Sequence, residues 1–498
     1  MVRRHWALVG SIALGFLLRV TGLGFQSLWR DEVDAVRFAT APLDRLLHTF
    51  AEPGQNGPLY YLLLRPWLDL MGDGEFALRF FSAFCGVLAI PLIYRLGRRL
   101  FLASPAAALL AALLAATSPY LVWYSQEGKM YALTVTLVLL SMDRYLAALE
   151  RGGWLRWLGY VAATSAAFYV HLIAALIIPA QVLAFFLLGK EQRGARWKPW
   201  LASLAVLTVP YLPLVAWQLP LLLEPAQTGY RFVPLHEMLY SLLTSYSLGV
   251  VQGGAWWTLA LFIGLLLAAS VWGWRELGMT ALGILLCWLL LPVVAFFLLT
   301  LVRPLYTARY LIFVLPAFLL LLAVGVIGVA RRSRLLAGLL LGALLVANGW
   351  GLWMQATSPL KADFRAATAY LTSHKSHDDL ILFQIPYGRY SYEYYARQRP
   401  GMPSRGGAYR IFLPAIGGSG GASYRWAEGL YTNGGMGPGE VDRRMSEITA
   451  GSRVVWLVAT EVEMWDEGNL VQGWLDEHAT LTEEVEFVRV TVYRYQLP

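Results

Sequence analysis

Residues 311–330 read LIFVLPAFLLLLAVGVIGVA, an apolar run without a charged side chain. At a rise of about 1.5 Å per residue, about 20 apolar residues form a helix long enough to cross the hydrocarbon core of a bilayer. Runs of this kind recur from the N-terminus to about residue 354 and then stop. The stretch predicts a membrane-spanning helix, and its repetition predicts a polytopic membrane protein followed by a second, different part.

The composition supports the same class of protein. Of the 498 residues, 57% are hydrophobic and 14% are charged, whereas soluble domains have about 25% charged residues. Cys85 and Cys287 both lie in apolar runs, so neither a disulfide framework nor a metal cluster is indicated. The net charge of +8 is typical of membrane orientation signals, and the absence of a basic-aromatic motif argues against nucleic-acid binding.

About eleven transmembrane helices are predicted. The boundary between two of them near His171 is the least clearly marked in the sequence. The predicted spans cover residues 5–23, 77–99, 104–123, 129–149, 154–170, 172–189, 199–219, 255–272, 279–302, 309–330 and 334–354. Because no small-residue cleavage site follows the first run, we interpret it as a helix and not as a signal peptide.

The basic residues of the loops predict the orientation. If the N-terminus is cytoplasmic, the cytoplasmic loops contain Arg95, Arg98, Arg99, Arg151, Arg156, Lys190, Arg193, Arg196, Lys198, Arg275, Arg331, Arg332 and Arg334. This asymmetry follows the positive-inside rule. An odd number of spans then places the C-terminal region outside the inner (plasma) membrane.

Two long external segments and a polar tail complete the predicted organisation. Residues 24–76 are expected to form short interfacial helices, and residues 220–254 a mobile lid. From Thr357 onward the chain turns polar, and its patterns predict helices at 363–374 and 470–478. Strands are predicted at 380–384, 454–459 and 485–495.

The predicted domains are a transmembrane domain, 1–356, and an extracytoplasmic α/β domain, 357–498. The tail also contains two glycine-rich stretches, 416–421 and 433–437. Neither shows the strand-to-helix context and lysine of a phosphate-binding loop, so we interpret both as flexible loops.

Acidic residues occur at two places in the first external segment. Asp31 and Glu32 follow the first helix directly, where one carboxylate can accept a proton from an attacking hydroxyl and the other can position it. The alternative is a solvated helix start, because acidic residues favour the first turn. Glu52 and Asn56 offer further oxygen ligands, although the prolines and glycines around them are also typical of a plain turn.

Two further external stretches carry polar and aromatic residues between apolar helices. One, 118–131, contains Tyr124, Gln126, Glu127, Lys129 and Tyr131, and the plain alternative is a polar hairpin that ends two spans. The other contains Arg309 and Tyr310 at a helix start. An external arginine opposes the orientation rule and suits a phosphate, whereas the alternative is an arginine that extends to lipid headgroups. His171 is placed near an external helix end as a pocket residue, although a lone histidine of this kind is more often structural.

Together these stretches resemble the bacterial polytopic glycosyltransferases of the GT-C fold, glycosyltransferase family 39, which are related to protein O-mannosyltransferases and the lipid A aminoarabinose transferase. The resemblance is carried by Asp31 and Glu32, by 58–61 followed by 76–79, by 124–127 with 130–131, and by Arg309 with Tyr310. Where relatives often show His-Pro-Pro before Leu-Tyr, this chain has Gln55, Asn56, Gly57 and Pro58, and Lys129 replaces a usual arginine.

The resemblance implies an inverting transfer of one sugar from a polyprenyl-phosphate donor to an acceptor on the extracytoplasmic face. Asp31 would be the general base, and Glu32 would position the acceptor hydroxyl. The donor and its lipid phosphate would be bound by Glu52, Tyr60, Tyr124, Gln126, Glu127, Lys129, Tyr131, His171, Arg309 and Tyr310. No cofactor is required, but Asp31, Glu32 and Glu52 are compatible with a divalent cation.

Two other classes of function stay open from the sequence. A transporter or flippase of lipid-linked sugars also needs apolar helices with internal charges, although it would favour paired repeats and charges at mid-membrane depth. An assembly component of the cell envelope would use the acidic segment for structure only. The partners predicted for the enzyme are the lipid-linked donor, membrane lipids and an acceptor that is a protein, a lipid or a glycan.

Overall fold

The computed structural model describes residues 2–51, 56–101, 104–212, 231–251, 256–397 and 424–498. Up to residue 358 its α-helices are α1 (Val2–Val20), α2 (Arg30–Thr40), α3 (Leu43–Ala51), α4 (Pro58–Met71), α5 (Glu75–Leu100), α6 (Pro105–Thr117), α7 (Pro119–Ser125), α8 (Tyr131–Arg151), α9 (Trp154–Val170), α10 (Ile177–Phe186), α11 (Lys190–Thr208), α12 (Leu235–Leu248), α13 (Trp256–Val302), α14 (Leu315–Ala330) and α15 (Arg334–Thr357). Short 3-10 helices cover Leu172–Leu176, Val209–Tyr211 and Ala308–Val314.

After residue 358 the chain alternates helices and strands. These elements are α16 (Phe364–His374), β1 (Leu380–Phe383), α17 (Gly388–Arg397), β2 (Arg425–Glu428), α18 (Pro438–Thr449), β3 (Val454–Ala459), α19 (Val462–Trp465), α20 (Leu470–His478), β4 (Thr480–Phe487) and β5 (Val490–Gln496).

Six of the described helices are long and apolar enough to cross a membrane. They are Glu75–Leu100, Tyr131–Arg151, Trp256–Gly273, Gly278–Val302, Ala308–Ala330 and Arg334–Thr357. A seventh span results if α6 and α7 are one helix bent by 54°. The shorter apolar helices His5–Val20 and Leu172–Phe186 correspond to two further predicted spans, and the total of eleven stays a prediction.

The breaks between helices have local causes. The predicted span 104–123 is interrupted at Ser118, since Pro119 has no N–H for the carbonyl four residues earlier. Gly278, with φ 75° and ψ 161°, breaks the long helix α13, and this confirms the predicted division between 255–272 and 279–302. The segment that was expected to form a lid, 220–254, contains helix α12 at residues 235–248. Its residues 220–230 and 252–254 lie outside the described residues.

The chain divides into two compact units, and the division after Ser358 lies close to the predicted boundary after residue 356. A helical unit comprises Met1–Leu23 and Leu47–Ser358, and an α/β unit comprises Gly24–Leu46 and Pro359–Pro498. The sequence predicts that the whole segment 24–76 belongs to the transmembrane domain. In the structure its first part packs with the C-terminal residues, and the expected short helices of this segment are α2, α3 and α4.

The α/β unit contains a five-stranded sheet with the order β2-β1-β3-β5-β4. Strand β1 is parallel to both β2 and β3, whereas β5 is antiparallel to β3 and β4. Helices α18 and α20 cover one face through Val441, Met445, Val471 and Leu475. The burial of these apolar side chains provides the main free energy that holds helix and sheet together.

Two details of this unit differ from the sequence prediction. The predicted strand 485–495 is a hairpin of two strands, and Arg489 in its turn has φ 55°. A turn without glycine, asparagine or proline gives no local signal. The glycine-rich stretch 433–437 does lie between a strand and helix α18, but no lysine follows it; the stretch 416–421 lies outside the described residues.

Residues 24–46 are joined to the C-terminal residues by hydrogen bonds to the chain just after residue 358. The side-chain oxygen of Gln26 accepts from the backbone N–H groups of Leu360, at 2.9 Å, and Lys361, at 3.2 Å. The backbone N–H of Leu28 donates to Tyr395 Oη at 2.6 Å. Glu32 is 0% exposed, and its Oε2 lies 2.8 Å from Lys361 Nζ. A buried ion pair therefore fixes the start of α2 within this unit.

Lys361→Met is expected to destabilise the protein strongly, because it leaves the buried Glu32 carboxylate without its cation. Removal of one partner of a buried pair costs about 3–5 kcal/mol. The midpoint of thermal unfolding in nanodiscs measures this loss. Glu447→Gln, which breaks the exposed ion pair with Arg443, serves as the control with an unchanged midpoint. A Lys361→Met midpoint equal to that of the wild type would show that the pair does not stabilise the unit.

Candidate active site

The turn between α7 and α8 is positioned by a buried arginine. Arg19 is 0% exposed, and its guanidinium donates to the carbonyls of Ala115, at 3.0 Å, and Ala116, at 3.1 Å. Its Nε also donates to Ser125 Oγ at 3.2 Å. These carbonyls end α6, where the helix break leaves them without intrahelical donors. Arg19 therefore stabilises the bend that directs α7 toward the turn.

Gln126 makes the reciprocal connection from the turn to α1. Its side-chain nitrogen donates to the carbonyls of Leu18, at 3.0 Å, and Thr21, at 2.7 Å, which belong to the C-terminal end of α1. The structure therefore gives the Gln126 amide a role in joining two elements, and the predicted substrate-binding role is an untested prediction.

A cationic and aromatic cluster brings together residues that are far apart in sequence. The Arg309 guanidinium carbon lies 5.9 Å from the ring centre of Tyr131 and 6.0 Å from that of Tyr310. The His171 ring centre lies 6.0 Å from that of Tyr131 and 5.4 Å from that of Tyr310. Four of the predicted site residues therefore meet inside the helical unit.

Lys129 belongs to the same region. Its Nζ donates to Tyr61 Oη at 3.1 Å, and its backbone carbonyl accepts from Ser82 Oγ at 3.2 Å. Tyr60, the predicted neighbour, faces Ser82 instead, with its hydroxyl 3.5 Å from Ser82 Oγ. The sequence predicts Tyr60 as a site residue and does not single out Tyr61, because only the register of helix α4 distinguishes the two adjacent tyrosines.

His171 lies in the break between α9 and the following 3-10 helix, outside both. Burial, and then the positive charges of Arg309 and Lys129, lower the pKa of His171 to about 3. Its imidazole is therefore neutral at physiological pH, and its Nδ1 has no hydrogen-bond partner among the residues described. The cluster thus combines two cations with one uncharged ring that can donate or accept a hydrogen bond.

Buried tyrosines extend the cluster. The ring centre of Tyr124 lies 5.1 Å from that of Tyr131 and 4.8 Å from that of Tyr120. Tyr246 of α12, 5.8 Å from Tyr120, was not predicted. Glu127 is also buried in this turn.

The predicted acidic pair lies in the α/β unit, and its two members have different surroundings. Asp31 Oδ1 lies 3.3 Å from Arg30 Nε, and the Asp31 side chain is 15% exposed. Glu32 is fully buried against Lys361, a partner that no local pattern reveals. Asp31 is therefore the partly exposed member of the pair, and it lies in the first turn of α2.

The candidate metal ligands were Asp31, Glu32 and Glu52. Glu52 lies outside the described residues. Within the parts of the chain that the structure describes, no three His, Cys, Asp or Glu side chains are grouped as metal ligands. A cation site stays a prediction.

Comparison with known proteins identifies the fold. The family model of the dolichyl-phosphate-mannose-protein mannosyltransferases matches residues 54–217, about a third of the chain. A sequence search of curated proteins finds no match.

Solved structures match over almost the whole chain. ArnT from Cupriavidus metallidurans bound to undecaprenyl phosphate has 14% identity and a TM-score of 0.59, covering 98% of this chain and 97% of its own. The oligosaccharyltransferase AglB from Archaeoglobus fulgidus, in complex with an inhibitory peptide and a dolichol-phosphate, has 12% identity, a TM-score of 0.55 and coverages of 98% and 74%. The arabinofuranosyltransferase AftD from Mycobacteria has 15% identity, a TM-score of 0.50 and coverages of 99% and 40%.

The coverages and TM-scores show a shared fold, and at identities of 12–15% they show the fold alone. The mannosyltransferase match covers the region that contains Tyr61, Lys129 and His171. The chain therefore has the GT-C fold that the motifs indicated, and its residues 54–217 are similar to the dolichyl-phosphate-mannose-protein mannosyltransferases.

Proposed function

We propose that this protein is an inverting glycosyltransferase that moves one sugar from a polyprenyl-phosphate donor to an acceptor hydroxyl on the extracytoplasmic face of the membrane. The observation that carries the proposal is the cluster in which Lys129, Arg309 and neutral His171 meet buried tyrosines. A hexosyl or a pentosyl unit is equally compatible with these residues.

The charges of the cluster suit a lipid phosphate. A sugar phosphodiester carries one negative charge, and the lipid phosphate that leaves carries close to two. Cations fixed in a site of low dielectric constant stabilise such developing charge more than water does, because they need no reorganisation during the reaction. The likeness to a structure with bound undecaprenyl phosphate supports the same ligand class.

Asp31 is the proposed general base. Its carboxylate would take the proton of the acceptor hydroxyl while the oxygen of that hydroxyl bonds to the anomeric carbon and the bond from this carbon to the phosphate oxygen breaks. The electron pair of the broken bond stays on the phosphate, a good leaving group, so no strong general acid is needed. One direct displacement inverts the anomeric carbon.

Glu32 has a different proposed role from the one the sequence suggested. Its ion pair with Lys361 would hold the start of α2, and through it Asp31, rather than contact the acceptor. If a divalent cation binds, the candidates are Asp31, Glu32 and Glu52, and it would supply charge for the phosphate.

The proposed placement keeps the N-terminus in the cytoplasm, eleven spans in the inner membrane and residues 357–498 outside. The cluster and Asp31 would then serve a reaction on the external face, with the polyprenyl chain among the apolar helices. The acceptor would be a protein, a lipid or a glycan with a free hydroxyl.

Asp31→Asn is expected to reduce sugar transfer by about a hundredfold or more, which is the range of a lost general base. Purified protein in nanodiscs is given radiolabelled polyprenyl-phosphate sugars and crude membrane acceptors, with and without chelator. Asp44→Asn, an exposed carboxylate of the same unit, is the matched control at wild-type rate. Equal rates for Asp31→Asn and the wild type would refute the mechanism. Movement of labelled lipid between leaflets without transfer would favour a flippase.

Arg309→Met and Lys129→Met are each expected to raise the KM for the donor by about tenfold to a hundredfold, because each removes a charged hydrogen-bond donor to the phosphate. Binding of undecaprenyl phosphate to the purified variants gives an independent measurement. Arg231→Gln, which removes a largely exposed arginine, should leave both quantities unchanged. Unaltered donor binding in both cluster variants would contradict the assignment.

Alkaline phosphatase fused after residue 498 is expected to be active in intact cells, whereas the same enzyme fused after Arg332 is expected to be inactive. The proposed orientation places these two positions on opposite sides of the membrane, and alkaline phosphatase folds only outside the cytoplasm. Activity from the Arg332 fusion alone would show that the orientation is opposite to the proposed one.

A further inference from the structure

The strand order of the α/β unit places a topological switch point at the carboxyl ends of β1 and β3. From β1 the chain passes to β2 on one side, whereas from β3 it passes to β4 and β5 on the other. Connections that leave neighbouring parallel strands in opposite directions open a crevice at the strand ends, where open α/β sheets bind ligands. Tyr387 follows β1, and Glu461 follows β3, so the two residues flank this position.

Arg30 connects this position to the proposed base. Its Nε lies 3.3 Å from Asp31 Oδ1, and its Nη1 lies 3.8 Å from Glu461 Oε2. The guanidinium carbon also lies 4.5 Å from the ring centre of Tyr387. All four residues belong to the α/β unit, and one cation is shared between two carboxylates.

The Glu461 carboxylate is held in place by more than Arg30. Tyr387 Oη donates to its Oε2 at 2.6 Å. Burial, and then the negative charge of Glu461, raise the pKa of Tyr387, so its hydroxyl stays protonated and keeps donating. The Glu461 backbone has φ 44° and ψ 38°, a left-handed conformation that residues other than glycine seldom adopt. The hydrogen bond from Tyr387 therefore holds the same carboxylate oxygen, Glu461 Oε2, that lies near Arg30.

We propose that Glu461 and Tyr387 are positioning residues for the transfer reaction, because they hold the Arg30 guanidinium away from full pairing with Asp31. This inference rests on the proposed role of Asp31 as the base. In this proposal, residues of the C-terminal part of the chain help to set how readily Asp31, in the first external segment, accepts a proton.

The physical reason is competition for one cation. An arginine paired only with Asp31 would stabilise the ionised carboxylate and make it a weaker acceptor for the proton of the acceptor hydroxyl. A second carboxylate on the same guanidinium, supported by the Tyr387 hydroxyl, reduces that effect. Arg30 would still orient the Asp31 carboxylate, and the carboxylate would keep its ability to accept a proton.

A double-mutant cycle tests the proposal on the full-length protein in nanodiscs. Glu461→Gln is expected to lower kcat for sugar transfer by about tenfold while the KM for the polyprenyl-phosphate donor is unchanged. In an Arg30→Gln background the same substitution should have no further effect, since the shared cation is gone. Tyr387→Phe keeps the ring beside Arg30 and removes only the hydroxyl, so its loss of kcat should be smaller and in the same direction. Glu461→Asp is expected to recover part of the loss.

Glu463→Gln is the matched control, because it changes an exposed carboxylate of the same short helix and should retain wild-type kcat. The thermal midpoint of each variant separates loss of folding from loss of rate. Equal losses from Glu461→Gln in both backgrounds, or a wild-type kcat for Glu461→Gln, would overturn the proposal. Failure of the proposed function would look different, because the wild type would then show no transfer from any donor, and failure of the base assignment would leave Asp31→Asn with full transfer.

Discussion

Backbone carbonyls at membrane depth need donors from within the protein, and the break between α6 and α7 creates two that have none of their own. Arg19 meets this requirement for Ala115 and Ala116, and Gln126 does the same for the end of α1. Because lipid offers no hydrogen bonds, an unsatisfied carbonyl costs several kcal/mol there. The turn that contains Lys129 therefore depends on the hydrogen bonds that Arg19 and Gln126 donate to these carbonyls.

Aromatic side chains contact the cations of the candidate site. Lys129 and Arg309 both lie close enough to His171 to lower its pKa, and the ring centres of Tyr131 and Tyr310 lie 5.9 Å and 6.0 Å from the Arg309 guanidinium carbon. Contact of this kind stabilises a positive charge without cancelling it. Under the proposed function, these cations would serve the lipid phosphate.

Apolar runs were sufficient to predict several elements. The run 311–330 and the division between 255–272 and 279–302 follow from length and hydropathy. The hairpin at Arg489 could not be predicted, since its turn lacks the usual residues. Lys129, Tyr131, His171 and Arg309 were predicted from local patterns, and the structure brings them together. The partner of Glu32 could not be found in this way, because pairing with Lys361 depends on tertiary packing alone.

That ion pair joins two residues 329 positions apart, and almost all of the membrane-embedded chain is synthesised between them. The ribosome has to synthesise all of this chain before Lys361 can meet Glu32. A prematurely terminated chain would carry Asp31 but not the contacts that orient it. The order of synthesis therefore acts as a check on completeness, because under the proposed function Asp31 would be oriented for reaction only after the chain has been made through Lys361.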